Sequence, residues 1–155
     1  MINSNMNRRD VLVLLIDDDE DDFLLISDAV KEAGLSITLL WKSNGEEALG
    51  YLKSGARPNL IITDLNMPGM DGREVIKAIK MDDATRAIPV VALTTSDSQE
   101  DVRLCYKIGA NSYLTKPSSF ARLLEIVHII NVYWLKTVQL PQWQEYDDRI
   151  KDINS

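Results

Sequence analysis

Leu60-Ile61-Ile62-Thr63-Asp64-Leu65-Asn66-Met67-Pro68-Gly69-Met70-Asp71-Gly72 is a short apolar run that ends on a carboxylate and turns at once through proline and glycine. An uninterrupted apolar run of this length, bounded by turn residues, reads as a strand covered on both faces. Pro68 fixes φ and Gly69 permits a tight bend, so the chain leaves the strand abruptly after Asp64. The carboxylate of Asp64 therefore stands at the carboxyl edge of a sheet, where open α/β proteins keep their sites.

Strand-like and helix-like stretches alternate on both sides of this junction. Val11 to Ile16, Ile37 to Trp41, Val90 to Thr94 and Ser112 to Thr115 have strand character. Phe23 to Ala33 carries apolar residues at helical spacing and stops at Gly34. Asn44-Gly45-Glu46-Glu47 and Asp71-Gly72-Arg73-Glu74 are helix starts with a capping residue three positions before a glutamate. Ser98-Gln99-Glu100-Asp101 opens a further helix that ends at Gly109, and a long one runs from about Ser118 to about Val138. Five βα units in a row predict an α/β fold, a doubly wound (βα)5 with a five-stranded parallel sheet in the flavodoxin-like order 2-1-3-4-5. That order brings the ends of strands one and three together, so Asp17 and Asp18 become neighbours of Asp64. The expected organisation is a flexible N-terminus over 1–9, one domain over 10–138 and a tail over 139–155.

Composition narrows the function. The 155 residues are 45% hydrophobic and 26% charged, which reads as a soluble globular chain of one domain. No apolar run approaches the roughly 20 residues of a membrane span, and the polar N-terminus has no signal-peptide core. One cysteine, Cys105, excludes an internal disulfide and fits a cytoplasmic location. A net charge of −7, with no basic cluster beyond Arg8-Arg9, argues against nucleic-acid binding. The single histidine, His128, sits in an apolar helical run, which removes Ser-His-Asp catalysis and histidine-rich zinc sites.

Three strand ends carry the chemistry. Asp17-Asp18-Asp19-Glu20-Asp21-Asp22 follows the first strand. Acids favoured by a helix dipole explain Asp19 to Asp22, but Asp17 and Asp18 follow a buried strand directly. A calcium loop of the EF-hand type would need a central glycine that is missing; magnesium, which takes few protein carboxylates and shares phosphoryl oxygens, suits them better. Asp64 alone would read equally well as a turn cap. The following Pro-Gly turn sharpens it, and aims the backbone carbonyl of Asn66 toward the same cation. Thr94 ends strand four, where a hydroxyl often only bonds nearby backbone. Lys116 ends strand five, where a solvated lysine is the commonest case; a cis bond to Pro117 would aim it inward. Each residue has a bland reading, but all lie on one edge of one sheet.

The set resembles the receiver domain of two-component response regulators, the CheY-like family, over about residues 10 to 137. The resemblance is carried by Asp17-Asp18, by Asp64 in Asp-Leu-Asn-Met-Pro-Gly-Met-Asp-Gly, by Thr94 and by Lys116-Pro117, at the family's spacings. It implies that Asp64 is the phosphoacceptor, that Asp18, Asp64 and the Asn66 carbonyl bind Mg2+ directly, and that Asp17 acts through bound water. It implies that Thr94 and Lys116 hold phosphoryl oxygens, and that Tyr113 is the switch aromatic, rotating inward as Thr94 moves. It implies a partner histidine kinase and a signalling protein rather than an enzyme. Thr95 stands where the family often has a smaller residue, and Ser118-Ser119 replaces a frequent aromatic, with Phe120 available to fill that space. Tyr133-Trp134-Leu135-Lys136-Thr137-Val138-Gln139-Leu140-Pro141 and Leu93-Thr94-Thr95-Ser96-Asp97 resemble the single-domain regulators paired with cyanobacterial and bacterial phytochromes.

The residues after the last helix are too few for an effector domain, so the expected output is a protein contact. Phe120 to Leu135 is apolar nearly all round, whereas a helix lying on a sheet needs one apolar stripe. This favours a homodimer or kinase-docking surface on the side of helix four, strand five and helix five, together with the tail. The opposing expectation is that Leu140, Pro141, Trp143 and Tyr146 fold back to cover that face. Two other functions compete. A haloacid-dehalogenase phosphatase would want an aspartate where Asn66 stands, and a receiver-like adaptor that is never phosphorylated would normally lack a reacting residue.

Overall fold

The computed structural model describes residues 11–143. The segments 1–9 and most of 139–155, with Tyr146, lie outside the described residues. Five strands and five helices alternate: β1 (Val11–Ile16), α1 (Glu20–Glu32), β2 (Ile37–Lys42), α2 (Gly45–Lys53), β3 (Leu60–Thr63), α3 (Gly72–Met81), β4 (Val90–Thr94), α4 (Gln99–Ile108), β5 (Ser112–Thr115) and α5 (Phe120–Ile130). All pairings are parallel, in the order β2-β1-β3-β4-β5. β1 and β3 are thus adjacent in the middle of the sheet, with Ile16 opposite Thr63.

Side chains of each strand alternate between two cores even though the runs are apolar throughout. Leu14, Ile16, Ile61, Val90 and Ala92 meet Ala48, Leu52, Val75, Ile76, Ile79 and Cys105 from α2, α3 and α4. Val13, Leu15, Leu60, Ile62, Val91 and Leu93 meet Ile26, Ala29, Val30, Leu123, Ile126 and Val127 from α1 and α5. Burial of each large aliphatic side chain contributes about 1.5–3 kcal/mol, which makes the central strands a rigid floor.

The helix starts follow the capping residues expected from sequence. Asn44, Asp71 and Ser98 each accept a hydrogen bond from a backbone N–H of the following turn. α1 starts at Glu20 rather than Phe23, because Asp19 caps it by accepting from Asp21 N–H. The long last helix is two pieces: α5 passes into a π-helical stretch over Asn131–Thr137. Trp134 and Leu135 in that stretch still pack on the α1–α5 side, while Val132 and Tyr133 face outward. No peptide bond among the described residues is cis, so Lys116–Pro117 is trans. No helix among them is long and apolar enough to cross a membrane.

The tail does not cover α5 within the described residues. Trp143 packs against the core on the α2–α4 side, and Ile129, Val132 and Tyr133 stay 52%, 41% and 53% exposed.

Candidate functional site

Three strand ladders each continue one residue past the strand. Asp17 N–H bonds Lys42 O at 3.1 Å, Asp64 N–H bonds Ile16 O at 2.9 Å, and Lys116 N–H bonds Thr94 O at 2.7 Å. The sheet itself therefore delivers Asp17, Asp64 and Lys116 to one edge.

Lys116 is the hub. Its Nζ donates to Asp17 Oδ2 at 2.8 Å, to Asp64 Oδ2 at 2.9 Å and to Asp22 Oδ2 at 2.7 Å. Burial disfavours the ammonium, but the hydrogen bonds to Asp17, Asp22 and Asp64 outweigh it and hold Lys116 above the usual lysine range. The trans bond to Pro117 is enough to aim it inward. Asp17 is buried, and burial pushes its carboxyl up from the usual aspartate value, only partly offset by the Lys116 hydrogen bond. Its other oxygen accepts Asp19 N–H at 2.9 Å, and its carbonyl accepts the indole N–H of Trp41 at 2.7 Å. Trp41 in turn stacks on Phe23, ring centroids 4.8 Å apart. An aromatic pair from β2 and α1 thus pins the acidic loop.

Asp64 is buried, and its Oδ1 accepts Leu65 N–H at 2.7 Å and Asn66 N–H at 3.4 Å. The helix that follows lies directly on its backbone. Gly72 N–H bonds Leu65 O at 2.8 Å, and a Cβ at position 72 would stand 1.9 Å from Asp64 O. Gly72 is required by this close approach, while Gly69, at φ +75°, makes the turn before it.

The donor set fits a hard divalent cation. One carboxylate oxygen from each of Asp17, Asp18 and Asp64 lies within 4.8 Å of the others, and Asp18 is exposed to solvent. Two oxygens on one Mg2+ are at most about 4.2 Å apart, so small shifts suffice. Thr94, at the end of β4, carries an orphaned donor. It is wholly buried, and its hydroxyl has no hydrogen-bond partner among the described residues. Buried hydroxyls are rarely left so, and an exception calls for a missing acceptor.

Behind Thr94 lies a polar chain that composition and motifs do not reveal. Arg73 NH2 meets Asp101 Oδ1 at 2.6 Å, Ser96 Oγ donates to Asp101 Oδ2 at 2.6 Å, and Tyr113 OH donates to Ser96 O at 2.7 Å. The Ser96 and Arg73 bonds hold the Asp101 carboxyl below the usual range. Tyr113 is half-buried against the α2–α4 side core, with its hydroxyl on the β4–α4 loop.

The expected site residues Asp17, Asp18, Asp64, Asn66, Thr94 and Lys116 lie along this edge, with Tyr113 beside Ala92, two positions behind Thr94. The sequence reading missed Trp41, Arg73, Asp101 and the role of Asp22. For Asp22 a signal existed: it falls five residues after Asp17, on the turn of α1 that overlooks the strand edge. Phe120 lines a cleft of about 100 Å³ with Asp22, Leu25, Lys116 and Pro117.

Comparison with known proteins agrees with this geometry. The response regulator receiver domain family matches residues 13–128. Response regulator Rcp1 of Synechocystis sp. is 38% identical over 84% of this chain and 92% of its own; its Mn(2+)-bound crystal structure superposes with a TM-score of 0.76, covering 84% of this chain and 98% of that one. The probable methanogenesis regulatory protein FilR2 of Methanothrix harundinacea is 41% identical over 80% of this chain and 83% of its own. The phosphorylated cyanobacterial phytochrome response regulator RcpA superposes with a TM-score of 0.81 at 35% identity, covering 86% of this chain and all of that one. With the family match spanning most of the chain, this protein belongs to the response regulator receiver family and is a phosphoacceptor of two-component signalling.

Proposed function

We propose that Asp64 takes a phosphoryl group from a phosphohistidine of a sensor histidine kinase. The observation that carries this reading is the convergence of the Lys116 ammonium on Asp17 and Asp64, beside the unpartnered hydroxyl of Thr94. An Asp64 oxygen attacks phosphorus in line, and the P–N bond breaks with its electron pair left on the imidazole. Lys116 meets the charge that gathers on the equatorial oxygens, and Thr94 donates to one of them. Asp17, Asp18, Asp64 and the Asn66 carbonyl would hold Mg2+, which when bound supplies further neutralisation of the transferring phosphoryl. Thr94 swings toward the new acceptor, and Tyr113 follows it, altering the surface of α4, β5 and α5. A small charge change thereby biases a bistable element.

The test is uptake of phosphate from acetyl phosphate in Mg2+. Wild type becomes labelled and Asp64→Asn does not; robust labelling of the variant elsewhere refutes the assignment. Asn66 stands where a haloacid-dehalogenase phosphatase needs its acid–base aspartate, so turnover of outside phosphoesters is not part of this function. A phosphorylation-independent adaptor is the remaining alternative, and beryllofluoride binding separates it.

The likeness to RcpA supports a phytochrome as the kinase, whereas the name of FilR2 carries no such link. Phosphotransfer profiling against a phytochrome kinase and kinases of other kinds tests this. The unit is a receiver over 10–138 with a tail over 139–155, acting in the cytoplasm. Exposed Tyr106 on α4 and Ile129, Val132 and Tyr133 beyond it support a homodimer through the α4–β5–α5 side and the tail. Light scattering showing a monomer at high concentration, with and without beryllofluoride, would count against it.

A further inference from the structure

A lysine ammonium has three N–H donors, and Lys116 has used all three on carboxylates. A phosphoryl oxygen on Asp64 can bond Lys116 only by replacing one of them. The three carboxylates are not equivalent. Asp17 and Asp64 belong to the cation cluster; Asp22 does not. The Asp17 side chain is 1% exposed and has no water to turn to, and Asp64 gives up its carboxylate charge to the acyl phosphate; Asp22, 32% exposed on the first turn of α1, is the carboxylate that keeps both its charge and access to water. Released from Lys116, Asp22 is rehydrated at small cost. Its negative charge also stands beside the place where a phosphoryl group of roughly −1.5 to −2 must settle.

We propose that Asp22 is a positioning residue that holds Lys116 in the resting site and competes with the phosphoryl group for it. Asp22 thereby sets how readily the site takes up and keeps its phosphoryl. No covalent bond is involved; one ion pair is exchanged for another, and Asp22 returns to Lys116 when the phosphoryl leaves. The inference rests on the reading of Asp64 as acceptor.

The test is a beryllofluoride titration of the full chain in saturating Mg2+, with bound fluoride read by fluorine NMR. Wild type, Asp22→Asn, Asp22→Glu and Asp64→Asn are compared, and a thermal melt shows that each is folded. Asp22→Asn binds about two- to fivefold tighter, the range set by a partly exposed ion pair. Asp22→Glu keeps the charge within reach of Lys116 and binds as wild type does. Should Asp22→Asn not fold, Asp22→Ser is read in its place. Equal or weaker binding by the folded neutral variant, with wild type binding normally, overturns the competition but leaves Asp64 as acceptor. No binding by wild type, or undiminished binding by Asp64→Asn, overturns the acceptor reading and this inference with it.

Discussion

Replacing Thr94 with valine should make the resting protein more stable and its phosphoryl site worse. Thr94 is fully buried at the end of β4, and its hydroxyl is shut from solvent without a partner among the described residues. An unsatisfied buried hydroxyl costs about 1–3 kcal/mol, and an apolar group of the same shape removes that cost. The expected gain is about 1 kcal/mol, or roughly 2–4 °C in melting temperature for a chain of this size. The same hydroxyl is assigned to a phosphoryl oxygen, and a hydrogen bond to a charged acceptor contributes about 1.5–3 kcal/mol. Beryllofluoride should therefore bind the variant at least tenfold more weakly. Thermal melts of the resting protein and fluorine-detected titrations measure the two effects on the same samples. A variant less stable than wild type would mean that the hydroxyl is satisfied in the resting fold. Unchanged beryllofluoride affinity would remove Thr94 from the site.

Gly72→Ala should cost at least about 3 kcal/mol in a urea melt, because its Cβ would overlap Asp64 O, which is backbone and cannot turn aside. Trp41→Phe keeps the stack on Phe23 but leaves Asp17 O without its donor; a loss of about 1 kcal/mol and weaker Mg2+ binding are expected by calorimetry. Asp101→Asn tests the chain behind Thr94 through pH. The Ser96 and Arg73 bonds lower the Asp101 carboxyl in the folded state. Its contribution to stability is thus present above the ordinary value of 3.8 and lost as pH falls through the lower folded value. The stability difference between wild type and variant, followed by urea melts, should be constant near neutral pH and shrink below about pH 4; a difference that grows in acid would contradict the assignment.

Much of the fold could be read along the chain because the deciding signals are local. A continuous apolar run, an Asx residue three positions before a glutamate, and a glycine after a periodic stretch act over a few residues, and β1, β3, β4 and β5 begin and end where those signals change. The last helix was less legible. Nearly all-round apolar spacing shows that a helix has two apolar faces, but not that it widens to a π-helix at Asn131 or which face stays open.

The individual candidates of the site were visible as strand-end residues of suitable chemistry. Their partners were not, since those partners approach from other elements. Asp22 looks like any acid in a first helical turn until α1 is laid over β1 and swings it onto Lys116, 94 positions away. Trp41 looks like an edge-strand aromatic until its indole meets Asp17 O.

Sequence alone determined the order of elements, their parallel stacking and the acids and amine that end the strands, because hydrophobic period, capping and turn chemistry are written within a few neighbouring residues. Only the tertiary structure decided which carboxylates share Lys116, that Thr94 is left without a partner, and that Gly72 must lack a side chain. Those facts are distances between segments far apart in the chain, and such distances exist only once the sheet and its helices have packed.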